Sequence, residues 1–190
     1  MQSKTRVMTK YYPEVIDQFS ASRTYIYLKD NIKWEEGVRS KNGFTRLAKA
    51  LSIGDNQVVD DILTQVLTKL GLHNQYAILG IYLNYYKDGT HYTPSHSHKG
   101  MTQLVVSLGT SRTLKVGAKD YRLNNGDAII FGASAHSVPQ ENTNEGRISV
   151  ATFMQPANPS FGDHIVMTDE QLIENVELAI IFKSFYFYYL

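Results

Sequence analysis

The sequence predicts an α+β protein whose β part is a jelly roll. One apolar stripe, with spacings of three and four residues, runs through residues 57–70 and predicts a helix that Gly71 ends. From residue 76 to residue 154 the pattern changes to short β-branched and aromatic runs with glycine-containing turns between them. Short strands at roughly 8–12-residue spacing are typical of antiparallel sandwiches and barrels. Helices that precede such a run of strands make the class α+β.

The other segments are assigned in chain order. Residues 13–20 begin with proline and predict a short helix, and the run TYIYL at 24–28 predicts a strand. The core strands are predicted in AILGIYLNYY, QLVVSLG, RTLKVG, YRL, DAIIFG and RISVATF. Residues 169–182 begin with acids and predict a C-terminal helix. The single predicted domain, 1–190, therefore has a helical layer at 1–75, a core at 76–154 and a C-terminal helix with its tail at 169–190.

The amino-acid composition limits the metal ligands and the binding partners that the protein can have. A net charge of +1 gives no strong global field that would attract nucleic acid or a membrane. Cysteine is absent, so a metal would need His, Asp or Glu ligands. The N-terminus has no apolar signal core, which predicts an intracellular protein, cytoplasmic or nuclear, and the many Tyr, Asn, Ile and Lys residues suggest a viral or phage genome. The aromatic tail KSFYFYYL is too short to span a bilayer, and it either packs across the domain or mediates self-association.

Three histidines form a candidate metal site. His96 and His98 are two residues apart, so in a strand their side chains would project on the same side. His136 follows the apolar strand of DAIIFG, and a jelly roll can return the end of that strand beside His96 and His98. Three imidazoles with open coordination positions suit iron(II) and oxygen chemistry. The alternative is that they are polar loop histidines.

The motifs around these histidines resemble the AlkB-like iron(II)/2-oxoglutarate oxygenases. In that family an Asn-x-Tyr-x-x-Gly strand leads into His-x-Asp, and an SLG-x-x-R strand, a Gly-Asp strand, a distal His and an arginine-led strand follow. The corresponding residues here are Asn84, Tyr86 and Gly89, then His96 and His98, then Ser107-Leu108-Gly109 with Arg112, then Gly126-Asp127, His136 and Arg147. Together with the early segment around Trp34, the resemblance covers most of residues 30–154.

The resemblance implies a fold, cofactors and a reaction. The fold would be a double-stranded β-helix, and His96, His98 and His136 would bind Fe(II). The distal carboxylate of 2-oxoglutarate would be bound by Arg147 and Tyr86, and its metal-proximal end by Asn84. The implied reaction is hydroxylation or oxidative demethylation, with methylated nucleic acid as the default substrate and a protein side chain as the other possibility.

The sequence departs from the family at three positions. His98 replaces the carboxylate ligand, which leaves the metal centre more positive by one unit. The family's second arginine, at the end of RISVATF, is absent, and Phe153 or Met154 stands there. Lys99-Gly100 replaces the acids that usually follow the metal motif, and a lysine would not stabilise a cationic methylated base.

Basic residues provide candidate substrate contacts. In segment 39–49, Arg39, Lys41 and Arg46 surround Phe44, and the segment either binds phosphates and stacks on a base or is a solvated basic loop. Lys99 and Arg112 are further candidates.

Two other functions remain open at this stage. A cupin-type metalloprotein would use the three histidines with Gln103 as a fourth ligand. A degenerate oxygenase fold would serve only as a binding module.

Overall fold

The computed structural model describes residues 8–37, 39–40 and 43–157, which form two helices and thirteen strands. The helices are α1 (Gln18–Asn31) and α2 (Gln57–Lys69). The strands are β1 (Lys10–Tyr12), β2 (Glu35–Glu36), β3 (Arg39–Ser40), β4 (Gly43–Phe44), β5 (Leu47–Leu51), β6 (Tyr76–Tyr86), β7 (Thr93–His96), β8 (Thr102–Gly109), β9 (Arg112–Val116), β10 (Lys119–Leu123), β11 (Ala128–Phe131), β12 (His136–Val138) and β13 (Arg147–Pro156). Lys41 and the predicted C-terminal helix with its tail lie outside the described residues.

Two antiparallel sheets form the core. The larger has seven strands in the order β1-β11-β8-β13-β6-β5-β2, and the smaller has four in the order β10-β9-β12-β7. Neighbours that are distant in sequence, such as β8 between β11 and β13, are typical of a jelly roll. The predicted α+β class and jelly-roll core are therefore confirmed. The short hairpin β3-β4 forms a separate two-stranded sheet.

Residues of the large sheet alternate between two buried faces, as the two-residue period of a strand requires. On β13, Ile148 and Val150 belong to an outer cluster together with buried residues of α1 and α2. Ala151 belongs to an inner cluster with residues of the small sheet, such as Leu114 and Val138. The helices thus cover the outside of the large sheet, and the inner face remains available for a site.

The run TYIYL is helical, so the predicted strand at 24–28 is wrong. Asp17 caps α1 by accepting a hydrogen bond from the Ser20 N–H at 2.9 Å. Ala21 and Leu28 are buried and Tyr25 packs against the same cluster, which gives one inward face at helical spacing. Packing of this face outweighs the strand preference of aromatic and β-branched residues. The helix predicted at 13–20 is also misplaced, because α1 begins only at Gln18.

Helix α2 confirms the strongest helix prediction. Asn56 is its N-cap, and Val59, Ile62, Leu63, Val66 and Leu67 form its buried stripe. The N-terminal layer is nevertheless not purely helical. It also contains β1 to β5, and β1, β2 and β5 extend the large sheet.

The turn between β10 and β11 is tied to the N-terminal segment. The buried Asp127 carboxylate accepts hydrogen bonds from the Tyr11 hydroxyl at 2.6 Å and from the Glu14 N–H at 2.9 Å. Burial and this carboxylate raise the pKa of Tyr11 to about 12. Gly126 has a φ of +84°, and a Cβ there would lie 2.3 Å from the carbonyl oxygen of Ile16, so glycine is required. Neither described helix has the length and apolarity needed to cross a membrane.

Candidate metal and anion-binding site

The sheet brings the three histidines together. His96 ends β7 and His136 begins β12, and the two are direct partners in the antiparallel ladder. His98 lies two residues beyond β7, and its ring centroid is 4.9 Å from that of His96. One ring nitrogen of each histidine lies within 4.8 Å of those of the other two. A single ion could therefore contact all three imidazoles.

Two of the histidines have a defined tautomer. The Nδ1 atom of His96 lies 2.9 Å from the Pro94 carbonyl oxygen, and that of His136 lies 3.1 Å from the Ser134 carbonyl oxygen. A carbonyl oxygen can only accept, so each Nδ1 has the proton and donates it. The Nε2 atoms are then unprotonated, which is the form that binds a metal.

Burial keeps these imidazoles neutral. It lowers the pKa of His98 to about 3 and that of His136 to about 4, and it lowers the pKa of His96 as well. A neutral imidazole is a good ligand for divalent iron, nickel, copper or zinc. The donor set of three imidazoles therefore fits a divalent transition metal, and it contributes no negative charge.

Aromatic rings enclose the histidines. The Phe153 ring centroid is 4.9 Å from that of His98, and the Phe131 ring centroid is 4.9 Å from that of His136. Of the two residues expected where the resemblance would have a second arginine, Phe153 faces the histidines and Met154 packs in the outer cluster. Gln103 pairs in register with both phenylalanines, and its Nε2 is buried without a hydrogen-bond partner among the described residues.

Arg147 is buried in the same cavity. It is 1% exposed, and its Nε donates to the Ser107 hydroxyl at 2.9 Å. Its Nη2 is buried and has no hydrogen-bond partner within the described residues. Burial lowers the pKa of the guanidinium to about 10, so it remains charged near neutral pH. A buried guanidinium nitrogen without a hydrogen-bond partner is costly in the ligand-free protein, and an anion would satisfy it.

Tyr86 and Asn84 lie beside Arg147, as their positions on β6 predict. Arg147 is opposite Tyr86 in the ladder, and its guanidinium carbon is 5.4 Å from the Tyr86 ring centroid. The Tyr86 hydroxyl is hydrogen-bonded to the Thr93 hydroxyl at 2.7 Å. The Asn84 Nδ2 donates to the Ser149 hydroxyl at 3.3 Å. All three predicted cosubstrate residues line one cavity.

Arg112 has a scaffold role that differs from the predicted substrate contact. Its side chain is fully buried, and it donates to the carbonyl oxygens of Asp88, His91 and Pro139 at 3.0, 2.9 and 2.7 Å. It does not line the cavity that the histidines and Arg147 share. A guanidinium engaged with three carbonyl oxygens has little capacity left for a substrate.

Arg46 is the functional candidate whose setting the sequence misjudged. It was predicted in a surface basic segment, yet it is 2% exposed and lines the cavity. Its Nε donates to Asn84 Oδ1 at 2.5 Å. Arg46 and the buried Ala48 are two residues apart, the spacing of one face of an extended segment, but this spacing alone does not distinguish a cavity from solvent.

Lys99, Arg39 and Phe44 are the other proposed substrate residues that the structure describes. Lys99 is exposed and does not line the cavity. Arg39 and Phe44 pair through their backbones in the β3-β4 hairpin. The cavity has a volume of about 450 Å³ including its open mouth, and its described lining contains no aspartate or glutamate.

Comparisons with solved structures identify the fold. SnoN, a non-haem α-ketoglutarate-dependent epimerase from nogalamycin biosynthesis, is 14% identical over 86% of each chain, with a TM-score of 0.61. HygX from Streptomyces hygroscopicus, crystallised with nickel, 2-oxoglutarate and hygromycin B, is 9% identical over 78% of this chain and 82% of its own, with a TM-score of 0.62. A Pseudomonas putida prolyl-4-hydroxylase is 12% identical over 81% of this chain and 95% of its own, with a TM-score of 0.56.

The described chain is thus a double-stranded β-helix protein of the type found in 2-oxoglutarate oxygenases. The predicted fold is confirmed. No family model and no curated protein matches the sequence. At these identities the likeness establishes the fold alone.

Proposed function

We propose that this protein is an iron(II)/2-oxoglutarate-dependent oxygenase that hydroxylates a C–H bond of its substrate. One observation supports this most strongly: a fully buried arginine with an unpartnered Nη2 lies in the same cavity as three neutral histidines. A metal site alone would not need a buried cation. A dianionic cosubstrate that chelates a metal at one end and has a free carboxylate at the other needs both.

Each residue has a part in binding 2-oxoglutarate. His96, His98 and His136 would hold the metal through their unprotonated nitrogens. Arg147 would bind the distal carboxylate through its Nη2, with its own orientation fixed by the Ser107 hydroxyl. The Tyr86 ring beside the guanidinium restricts it to one position.

The reaction would take place in a site from which water is largely excluded. Bound iron(II) supplies oxygen activation, in which 2-oxoglutarate and O₂ become succinate and carbon dioxide and one oxygen atom enters the substrate C–H bond. Phe131 and Phe153 cover the histidines, and Val105 and Ala151 line the cavity. Such a wall limits side reactions with water.

The substrate is a separate question. The AlkB-like resemblance implies a methylated base, and such bases can be cationic when the methyl group is on a ring nitrogen. The described cavity lining has two arginines and no carboxylate, and this does not favour a cation. The proposal therefore specifies the oxygenase reaction and leaves the nucleic-acid substrate as a possibility to test.

The cupin alternative depends on Gln103. Its unpartnered Nε2 is a donor, and a metal ligand would have to be the amide oxygen. A cupin site also leaves the buried Arg147 without a role. A pure binding module would leave the tautomeric arrangement of His96 and His136 without a purpose.

The test is binding followed by turnover. Purified protein is loaded with Mn(II) without oxygen, and 2-oxoglutarate is titrated in a calorimeter. We expect one 2-oxoglutarate site that forms only with metal. With Fe(II), the complex should show a weak visible absorption band, and oxygen should then yield succinate. If 2-oxoglutarate does not bind to the metal-loaded protein, the proposal is wrong.

A further inference from the structure

A second buried arginine, Arg46, lies in the cavity, and within the described part of the chain its hydrogen-bond partners are neutral. Its Nε donates to Asn84 Oδ1 at 2.5 Å and its Nη1 donates to the Thr45 hydroxyl at 3.1 Å. No carboxylate of the described residues forms an ion pair with it. Glu35, whose charge affects Tyr82 in the cavity lining, is exposed and pairs with Lys49. A buried charge with neutral partners only is unfavourable until an anion arrives.

The backbone holds Arg46 near the histidine strand. The Thr45 carbonyl oxygen accepts from the Tyr92 N–H at 2.9 Å, which joins this segment to the residues just before β7. The Arg46 carbonyl oxygen accepts from the Gly37 N–H at 2.7 Å. The charge of Arg46 also contributes, after burial, to the lowered pKa of His96 and of His136.

Arg46 and Arg147 enter the cavity from different strands. Arg147 begins β13 opposite Tyr86, and Arg46 precedes β5, which pairs with the other edge of β6. The two backbones are therefore about two strand spacings, roughly 10 Å, apart. Arg147 can bind the distal end of a cosubstrate while Arg46 faces a different part of the cavity.

Charge balance requires a further anion. A divalent metal and two guanidinium groups bring four positive charges, and the three neutral histidines add none. A 2-oxoglutarate dianion compensates two of these. Two positive charges remain in a cavity whose described lining has no acid. The substrate, which enters after the metal and 2-oxoglutarate, should therefore be negatively charged.

We propose that the substrate is a small molecule with an anionic group, a carboxylate or a phosphate, and that Arg46 binds this group. The inference rests on the proposed oxygenase function. A backbone phosphate of a nucleic acid is a poorer fit, because Arg46 is only 2% exposed and a polymer backbone stays at the surface. The apolar lining, which includes Val105, Leu114 and Phe153, suits a hydrophobic body behind the anionic group.

The test compares acids with their neutral analogues. Mn(II)- and 2-oxoglutarate-loaded protein is titrated with phenylacetate, phenyl phosphate and phenylacetamide, with melting temperature and calorimetry as readouts. We expect the acids to bind and stabilise, and the amide to do neither. Comparison of phenylacetate with phenyl phosphate distinguishes a carboxylate site from a phosphate site.

Two variants localise the effect. Arg46→Gln removes the charge and should weaken binding of the acids roughly 10- to 100-fold, the loss expected for a charge-assisted hydrogen bond. Arg46→Lys keeps the charge and should retain much of the binding. Because Arg46 donates to Asn84, 2-oxoglutarate affinity is measured in both variants as well, and it should fall less than the affinity for the acids.

Several results would overturn the proposal, and they differ from failure of the oxygenase function. Loss of 2-oxoglutarate binding in Arg46→Gln would assign Arg46 to the cosubstrate. Equal binding of acid and amide, or no binding of any acid, would remove the anionic substrate. Arg46-independent binding of an oligonucleotide with an N-methylated base would favour nucleic acid. If the wild-type protein does not bind 2-oxoglutarate in the first place, the oxygenase function itself has failed.

Discussion

Replacing Arg147 and Arg112 in turn by methionine distinguishes a ligand-binding arginine from a scaffold arginine. Both side chains are fully buried and both guanidinium carbons lie about 5.4 or 5.5 Å from the Tyr86 ring centroid. The two arginines differ in their hydrogen-bond partners. Arg112 donates to three carbonyl oxygens, whereas Arg147 donates to the Ser107 hydroxyl and leaves its Nη2 without a hydrogen-bond partner among the described residues. We therefore expect opposite effects on stability and on binding.

The magnitudes follow from these contacts. Burial lowers the pKa of Arg147 from its ordinary value to about 10, which corresponds to roughly 3 kcal/mol against the charged form. The hydrogen bond to Ser107 offsets about 1 kcal/mol of this. Arg147→Met should thus leave the free energy of unfolding of the ligand-free protein unchanged or raise it by up to about 2 kcal/mol. Arg112→Met leaves three partly buried carbonyl groups without this donor and should lower the free energy of unfolding by roughly 3–5 kcal/mol.

Urea unfolding and calorimetry measure both effects. Arg147→Met should lose roughly 2–5 kcal/mol of 2-oxoglutarate binding, which is at least about a 30-fold weaker affinity. Arg112→Met, measured at a temperature where it is folded, should keep most of its affinity. A ligand-binding role of Arg147 is refuted if Arg147→Met destabilises the ligand-free protein as much as Arg112→Met does, or if the variant binds 2-oxoglutarate as tightly as the wild type.

Three further predictions concern the histidines and the turns. Because the folded-state pKa values of His98 and His136 are about 3 and about 4 instead of 6.5, the unfolded chain binds more protons below about pH 6.5. The free energy of unfolding of the metal-free protein should therefore fall as the pH drops from about 7 to 5, by up to about 1.4 kcal/mol per pH unit for each histidine. His98→Gln should make this slope shallower in urea titrations. His136→Ala should abolish stoichiometric Mn(II) binding, while Gln103→Ala should retain it; loss in the second variant would support a cupin-type site. Gly126→Ala should cost roughly 3 kcal/mol or more, because its Cβ would meet a backbone oxygen at 2.3 Å. Gly117→Ala, which has φ +60° but nothing within 4 Å, should cost only about 1 kcal/mol in the same melts.

The sequence predicted structure correctly where one local pattern of residues determines the element or the site. The stripe of residues 57–70 predicted α2, and the two-residue spacing of His96 and His98 agrees with their adjacent rings. The run TYIYL was misassigned because its aromatic and β-branched residues favour strands locally. The packing of Tyr25 and Leu28 in the outer cluster, together with the Asp17 N-cap, favours the helix.

Arg46 and Arg112 show why the cavity lining was harder to predict. Whether an arginine faces solvent, a carbonyl cage or a cavity depends on which strands pair, and no spacing along the chain encodes this. Arg112 was matched to a motif but contacts Asp88, His91 and Pro139. Arg46 looked like one member of a basic surface segment, and only the pairing of β5 with β6 shows that it is buried beside Asn84.

The alternation of faces on β13 also bears on how such a site can diversify. Ser149 and Ala151 line the cavity, whereas Ile148 and Val150 pack in the outer cluster with the helices. Substitutions of Ser149 or Ala151 change the shape of the cavity that a ligand contacts, and they leave the packing against the helices intact. A library confined to Ser149, Ala151 and Val105 should accordingly yield mostly folded proteins, and selection could alter substrate range without compensating changes elsewhere.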